Sequence, residues 1–386
     1  MSIKICFVTT SSVSIDSFIM PTIPCLIEKG FEVSIVTNCA SGFKERCNNN
    51  INIYDYKVGR GFDFLGTLMA SIKFANLCRK RQFDIVVYAT PNGALYGSIG
   101  AWLGRVPCRI LAQWGMRYIG FDGYKRKIIC AIEKISCHLA TDIRNVSAKN
   151  REIAIKDGMY TGEKCKVLGQ GGTIGVDLEQ YRLDNKTIFS DEIREKFNIP
   201  QSRLVYGFVG RVCRDKGFVE LIYAFNEVLI KNSEAQLIIV GDIDVNSNIP
   251  KEVIDLAHSN SHIIFCGHVP NDEVVKYMSS FDVLVHPTYR EGFGMVLQEA
   301  AALSIPTITT DTPGASEAIV NEYTGLLAQK QDVHSLIICM ERLFDKSFRE
   351  RLGRNGRSRV ETCFERTMMV ERVCNDYLEI YKNRVK

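Results

Sequence analysis

Several things this sequence lacks narrow what it can be. Its 14 cysteines never fall in a Cys-x-x-Cys spacing. In a 386-residue chain they read as reduced thiols of a cytoplasmic protein, not as a disulfide framework. No apolar run reaches the length of about 18 residues that a membrane-spanning helix needs. The opening MSIKICFVTT is too short for the apolar core of a signal peptide and reads as a first strand. Charge of one sign is scarce: 48 Lys+Arg against 44 Asp+Glu leaves +4. That is too little to argue for nucleic acid, although it suits an anionic ligand or membrane surface. No G-x-S-x-G occurs, so an α/β-hydrolase has no support. Internal repeats and low-complexity tracts are missing as well.

What is present is an ordinary soluble composition, 46% hydrophobic and 24% charged, in a chain long enough for two domains of roughly 150–200 residues. Short β-branched runs alternate with amphipathic stretches throughout. In the first half the runs are IKICFVTT, EVSIVT, FDIVVYAT, CRILAQW and DIRNVS; FIMPTIPCLIEKG and GTLMASIKFANLCRKR lie between them with helical period. LVYGFVG, AQLIIVGD, HIIFCG, DVLVHP and IPTITT repeat the scheme in the second half. This pattern predicts an α/β fold of two parallel sheets, with ligand at the carboxyl ends of the strands. A polar, weakly periodic stretch near residues 177–202 marks the boundary, between a first domain at 1–180 and a second at 181–365. A final helix over 366–384 carries Met369, Val373, Tyr377 and Ile380 or Tyr381 on one face, which needs a docking surface, expected on the first domain.

HPTYREGFGMVLQEA (286–300) raises the chemical question. Glu291 stands before Gly292, Phe293 and Gly294, and Glu299 follows on the helix that opens there. Glycines let backbone approach a ligand closely, and a helix N-terminus offers unpaired N–H groups. Carboxylates accept well from vicinal hydroxyls, so sugar and ribose are natural partners. On spacing alone, two readings stand: these roles, or a turn residue and a solvated helix position. VYGFVGRVCRDKG (205–217) adds a second such loop. It ends a strand at Gly210 and supplies Arg211, Arg214 and Lys216 before a helix, which describes either a diphosphate seat or a solvated basic loop.

GRVCRDKG, GHVPNDEVVKYMSSFDVLVHPTYREGFGMVLQEAAALSIPTITT and TPGASEAIVNEYTGLL together resemble the family-4 retaining glycosyltransferases of the GT-B fold. Segments of the first half, SIDSFIMPTIPCLIEKGFEV among them, resemble a bacterial branch that extends lipid-linked oligosaccharides for capsule or O-antigen. The resemblance implies two Rossmann-like domains facing across a cleft. It also implies a nucleotide-sugar donor, a UDP-sugar, on the second domain, and a polyprenyl-diphosphate-linked saccharide acceptor on the first. Glu291 would hold the donor sugar and Glu299 the ribose. Arg211 and Lys216 would hold the diphosphate as it leaves, with Gly210, Gly292, Phe293, Gly294 and Val269 around the donor. No cofactor and no metal is implied.

The family's histidine near the donor sugar has no counterpart here. The nearest segment, AQWGMRY, offers Trp114 and Arg117 for an acceptor or sugar pocket, with packing as the alternative for Trp114. His138 falls in a helical stretch, where a structural role is the expectation. The glycine pair after the first strand is replaced by TTSSVS.

Other signals are set aside. Asp242-x-Asp244 reads as a strand-end turn, not as a metal pair, and the glycines of LGQGGTIG miss the G-x-G-x-x-G spacing of a dinucleotide loop. Lys125, Arg126, Lys127 and Lys134 interleave with Ile128, Ile129, Ile132 and Ile135. That pattern fits either a core helix with a wet rim or a peripheral contact with the inner face of the plasma membrane. Two alternatives to a transferase remain at this stage: a sugar-nucleotide epimerase or phosphorylase on the same fold, and an inactive nucleotide-sugar-binding subunit.

Overall fold

The computed structural model describes residues 2–47, 50–58 and 63–385. The chain divides into two compact units, Met1–Ile174 with Thr367–Lys386, and Gly175–Arg366. The division falls at Ile174, ahead of the polar stretch in which the helix Lys186–Lys196 forms.

The first unit holds a seven-stranded sheet: β1 (Ile3–Val8), β2 (Phe31–Thr37), β3 (Asn52–Asp55), β4 (Ile85–Tyr88), β5 (Cys108–Gln113), β6 (Asp142–Asn145) and β7 (Cys165–Val167), in the order β3-β2-β1-β4-β5-β6-β7. The second holds β8 (Val205–Val209), β9 (Gln236–Val240), β10 (Ile263–Gly267), β11 (Val283–His286), β12 (Thr307–Thr310) and β13 (Gly325–Ala328), in the order β10-β9-β8-β11-β12-β13. Every neighbouring pair is parallel. Three strands lie outside the apolar runs read from sequence: β3, β7 and β13. Asn52–Asp55 and Cys165–Val167 are short edge strands with little burial, so they carry almost no hydrophobic pattern. FIMPTIPCLIEKG is not one helix. Pro21 and Pro24 each lack an N–H, and the chain there makes the helix Ser12–Phe18, a 3₁₀ turn and the helix Ile23–Glu28.

The helix Arg366–Arg384 packs on the first unit. It buries Met369, Val370, Cys374, Tyr377 and Ile380, side chains worth about 1.5–3 kcal/mol each when taken from water. Tyr377 meets Phe7 of β1 with ring centroids 6.1 Å apart. Asp376, 5% exposed, takes both Nε (2.6 Å) and Nη2 (3.0 Å) of Arg144 on β6. A buried guanidinium and carboxylate each need such a partner, because an unpaired charge there would be strongly destabilising. The second unit packs Phe208, Phe218, Leu221, Phe225, Val283 and Met340 into one apolar core.

Each sheet reverses its winding direction once. In the second unit the chain runs from β8 outward to β10, then returns to lay β11 on the other side of β8. The loops after β8 and β11 are therefore neighbours at a topological switch point, where open α/β sheets place their ligands.

Candidate functional site

Two backbone contacts build this crevice. Gly217, at φ +72°, opens the helix Phe218–Lys231, and a Cβ there would lie 2.0 Å from the carbonyl oxygen of Pro287. Gly314, at φ +86°, would put a Cβ 2.5 Å from the Glu291 carbonyl oxygen and 2.4 Å from that of Gly292. Only glycine fits both the left-handed backbone and the space. The loop after β11 is thus pressed between the loops after β8 and β12. Side chains secure it: Arg290 Nη2 donates to Asp215 Oδ2 at 2.6 Å, the Tyr289 hydroxyl to Glu220 at 2.6 Å, and the Thr309 hydroxyl to the His286 carbonyl at 2.9 Å.

Lys216 and Glu291, 75 residues apart, form an ion pair at this junction. Their side chains are 20% and 19% exposed, so the pair is open enough to meet a ligand and dry enough to be strong. Glu291 Oε2 also lies 3.2 Å from His286 Nε2, and its Oε1 receives the Gly292 N–H at 3.2 Å. Burial alone would raise the Glu291 pKa. Lys216 and then His286 overcome that and hold the carboxyl well below the usual carboxylate range.

Glu299 is treated in the opposite way. It sits on the helix Met295–Ala302, half-buried, and burial lifts its pKa to about 7, with the Tyr181 hydroxyl and Arg366 opposing only in part. Two carboxyls near one loop therefore differ in protonation near neutral pH. Such separation is how one site assigns different tasks to the same group.

Arg211 is exposed and pairs with Asp244. Asp244 takes that guanidinium together with the Asn246 N–H at 3.0 Å, so it is a turn residue beside a cation. Among the described residues, no group of three or more His, Cys, Asp or Glu could hold a metal ion. Gly210 ends β8 at φ +140°, and Val269 is buried just beyond β10. Phe293 is buried against Phe364, ring centroids 5.6 Å apart. It can therefore offer a ligand backbone, not its ring.

In the first unit, Trp114 is half-buried and packs on Phe18 with ring centroids 4.7 Å apart and the planes tilted by 42°. It lines a pocket with Phe7, Val87, Ala112 and Asn145, at the carboxyl ends of β1, β4, β5 and β6. Arg117 does not line it; its guanidinium is exposed over the Phe121 ring, 5.8 Å from the centroid. His138 lies exposed on the helix Gly123–Leu139. Thr90, at φ +61°, receives the Thr10 N–H (3.1 Å) and the Thr10 hydroxyl (3.0 Å) on its own hydroxyl, at the switch point between β1 and β4. Sequence reading passed over His286, Tyr181, Asp215 and Thr90. The signal for His286 was a polar residue closing an otherwise apolar strand, five positions before Glu291. The other three are recognisable only once their partners are in place.

Residues 189–359 match the model for glycosyl transferases group 1, and residues 4–147 match glycosyl transferase 4-like. A capsular polysaccharide biosynthesis glycosyltransferase, CapM, of Staphylococcus aureus is 31% identical over 354 residues, covering 91% of each chain. The UDP-Gal:α-D-GlcNAc-diphosphoundecaprenol α-1,3-galactosyltransferase of Escherichia coli is 22% identical over 332 residues, covering 84% of this chain and 83% of that one. Among solved structures, Anabaena HepE in complex with UDP and glucose superposes with a TM-score of 0.78 at 17% identity, over 97% of this chain and 99% of that one. Two parallel α/β domains with these neighbours are the GT-B fold. With its sequence matched to both family models and its fold shared with their structures, the chain belongs to the group 1 glycosyltransferases and is a glycosyltransferase.

Proposed function

We propose that the protein is a retaining glycosyltransferase that moves a sugar from a UDP-sugar to a polyprenyl-diphosphate-linked saccharide during surface-polysaccharide assembly. The observation that carries this reading is the Lys216–Glu291 pair at the switch point of the second unit, with Arg211 in the same loop as Lys216. A diphosphate needs cations and a sugar needs a fixed acceptor of hydroxyl hydrogen bonds, and here they adjoin. The names of two relatives, one a capsular glycosyltransferase and one a UDP-galactose enzyme acting on a diphosphoundecaprenol-linked sugar, support the choice of donor and acceptor.

In this mechanism Arg211 and Lys216 hold the diphosphate. Lys216, paired with Glu291 beforehand, exchanges that carboxylate for the phosphate oxygens on binding. Glu291, ionised at any physiological pH, accepts from the donor-sugar hydroxyls, and Glu299 accepts from the ribose. As the anomeric C–O bond breaks, charge grows on the β-phosphate, where Lys216 and Arg211 stabilise it. That phosphate takes the proton of the acceptor hydroxyl attacking from the same face, and configuration is retained. Side chains and the Met295 helix end supply the positive charge, with no metal assigned a part.

The acceptor's lipid places the first unit at an anionic membrane. The helix Gly123–Leu139 exposes Tyr124 (78%) and Ile128 (40%) beside Lys125 and Lys127. The helix Phe64–Arg81 exposes Leu65, Leu68, Met69 and Ile72, an i, i+3, i+4, i+7 stripe. Both helices pack on the helix Pro91–Leu103, which supports a shared docking face. No helix among the described residues is long and apolar enough to cross a membrane.

Incubation with a panel of UDP-sugars, with and without a polyprenyl-diphosphate-linked saccharide, tests the whole reading. UDP release should depend on the acceptor, and the product linkage should be α by its anomeric NMR coupling. A sugar product formed without acceptor would establish an epimerase instead.

A further inference from the structure

His286 closes β11 and is 1% exposed, stacked on Phe208 with ring centroids 6.1 Å apart and 26° between planes. Its Nε2 lies 3.2 Å from the Glu291 oxygen that also receives Lys216. Burial lowers the imidazole pKa by more than the Glu291 hydrogen bond raises it, and Lys216 lowers it again, so the ring is neutral. A neutral ring carries one N–H. Nδ1 has no hydrogen-bond partner among the described residues. A proton on Nδ1 would leave a buried N–H unpaired and aim the Nε2 lone pair at a carboxylate, so the proton belongs on Nε2, where it donates to Glu291.

We propose that His286 is a positioning residue for sugar transfer: it anchors Glu291 from beneath, so that the carboxylate keeps its orientation when the diphosphate draws Lys216 away. The inference rests on the reading that Glu291 holds the donor sugar. Lys216, His286 and the Gly292 N–H all donate to the carboxylate. Of these, Lys216 is a cation that phosphate oxygens compete for, and the Gly292 amide sits in a glycine loop. His286 is uncharged, buried and wedged on Phe208, so an arriving anion neither attracts nor reaches it. The carboxylate thus meets the sugar preorganised, and orientation established before binding need not be paid for in the transition state.

His286→Phe keeps the ring and removes the N–H; His286→Gln offers an amide N–H at similar reach. Affinity for UDP, and turnover of whichever UDP-sugar of the panel is most active, are measured for both beside Glu291→Gln. In His286→Phe, turnover should fall roughly 10- to 100-fold, the effect of one hydrogen bond to a charged group, while the Kd for UDP stays within about twofold of wild type. His286→Gln should recover most of the lost rate. Wild-type turnover in His286→Phe, with Glu291→Gln impaired, would overturn the positioning role and leave the function standing. Wild-type turnover in Glu291→Gln would overturn the underlying reading. Should both His286 variants lose turnover and UDP affinity in parallel, the residue is structural and the proposal fails.

Discussion

Gly217 lies so close to Pro287 that a Cβ on the first would sit 2.0 Å from the carbonyl oxygen of the second. This backbone contact holds the loop of Lys216 against the loop of Glu291. Gly217→Ala would force apart two main chains and place alanine at φ +72°. A loss of about 3 kcal/mol is expected, within the range of severe single substitutions, or roughly 6–12 °C in Tm for a unit of this size. Calorimetric unfolding beside UDP titration checks it. Wild-type Tm with wild-type UDP affinity would show that the loops do not need the contact.

The two glutamates should fail differently. Glu299→Gln is expected to weaken both UDP-sugar and free UDP by about 1.5–3 kcal/mol, the worth of a hydrogen bond to a charged group, or roughly 10- to 100-fold. Glu291→Gln should leave UDP affinity near wild type while turnover falls at least as far. Calorimetry with UDP and steady-state rates separate the cases. Equal loss of UDP affinity in both would end the division of labour.

A pH dependence follows from Glu299. Burial puts its pKa at about 7, and ribose hydroxyls donate more strongly to the carboxylate than to the acid. UDP affinity should therefore rise with pH up to about 7 and level off above it, by up to about tenfold per unit on the acid side. Glu299→Gln should lack that component, and the difference between the two curves removes the titration of UDP itself. For folding the sign is opposite. The folded state keeps a proton that the unfolded chain loses near 4.5, so this contribution to stability is present below that pH and gone above about 7. Identical affinity curves for wild type and variant would reject the assignment.

Chelator should leave UDP release unchanged within about twofold, and Asp242→Ala should behave likewise, because the cations assigned to the diphosphate are Arg211 and Lys216. Arg211→Ala should weaken UDP by about 1.5–3 kcal/mol. Turnover lost in chelator and restored by magnesium or manganese would show that a metal shares the task.

Membrane binding should depend on Lys125 and Lys127, which are exposed. Arg126 is already committed to Asp157 at 2.8 Å and to the Tyr118 ring, so it makes a poor probe. Removing two lysines at about 1 kcal/mol each near an anionic surface should weaken binding to phosphatidylglycerol vesicles by about 30-fold. Reversal to glutamate should weaken it further, and Met69→Ser should reduce what remains. If turnover of a short, soluble acceptor fell equally, these residues would belong to the fold instead.

The legible part of this protein was the part with a period or a motif. Alternating β-branched runs announced most of both sheets, because strands buried on two faces must be apolar. Edge strands such as Cys165–Val167 bury little and left no such trace. Glu291, set before Gly292-Phe293-Gly294, and the basic loop around Lys216 stood out because left-handed backbone and helix openings need particular residue types. Of the basic stretch 125–134, composition could not say which cations were free; the Arg126–Asp157 pair settles that for one of them.

Local sequence thus determined the α/β class, most strands of the two sheets and the glycine-rich and basic loops that open helices, since these follow from side-chain period and backbone freedom within a few residues. Strand order was decided only by the fold, and with it the meeting of loops 75 residues apart. So were the shared carboxylate oxygen between Lys216 and His286, and the opposite pKa shifts of Glu291 and Glu299. Burial and Coulomb interaction depend on distance in space, and a linear sequence does not contain that distance.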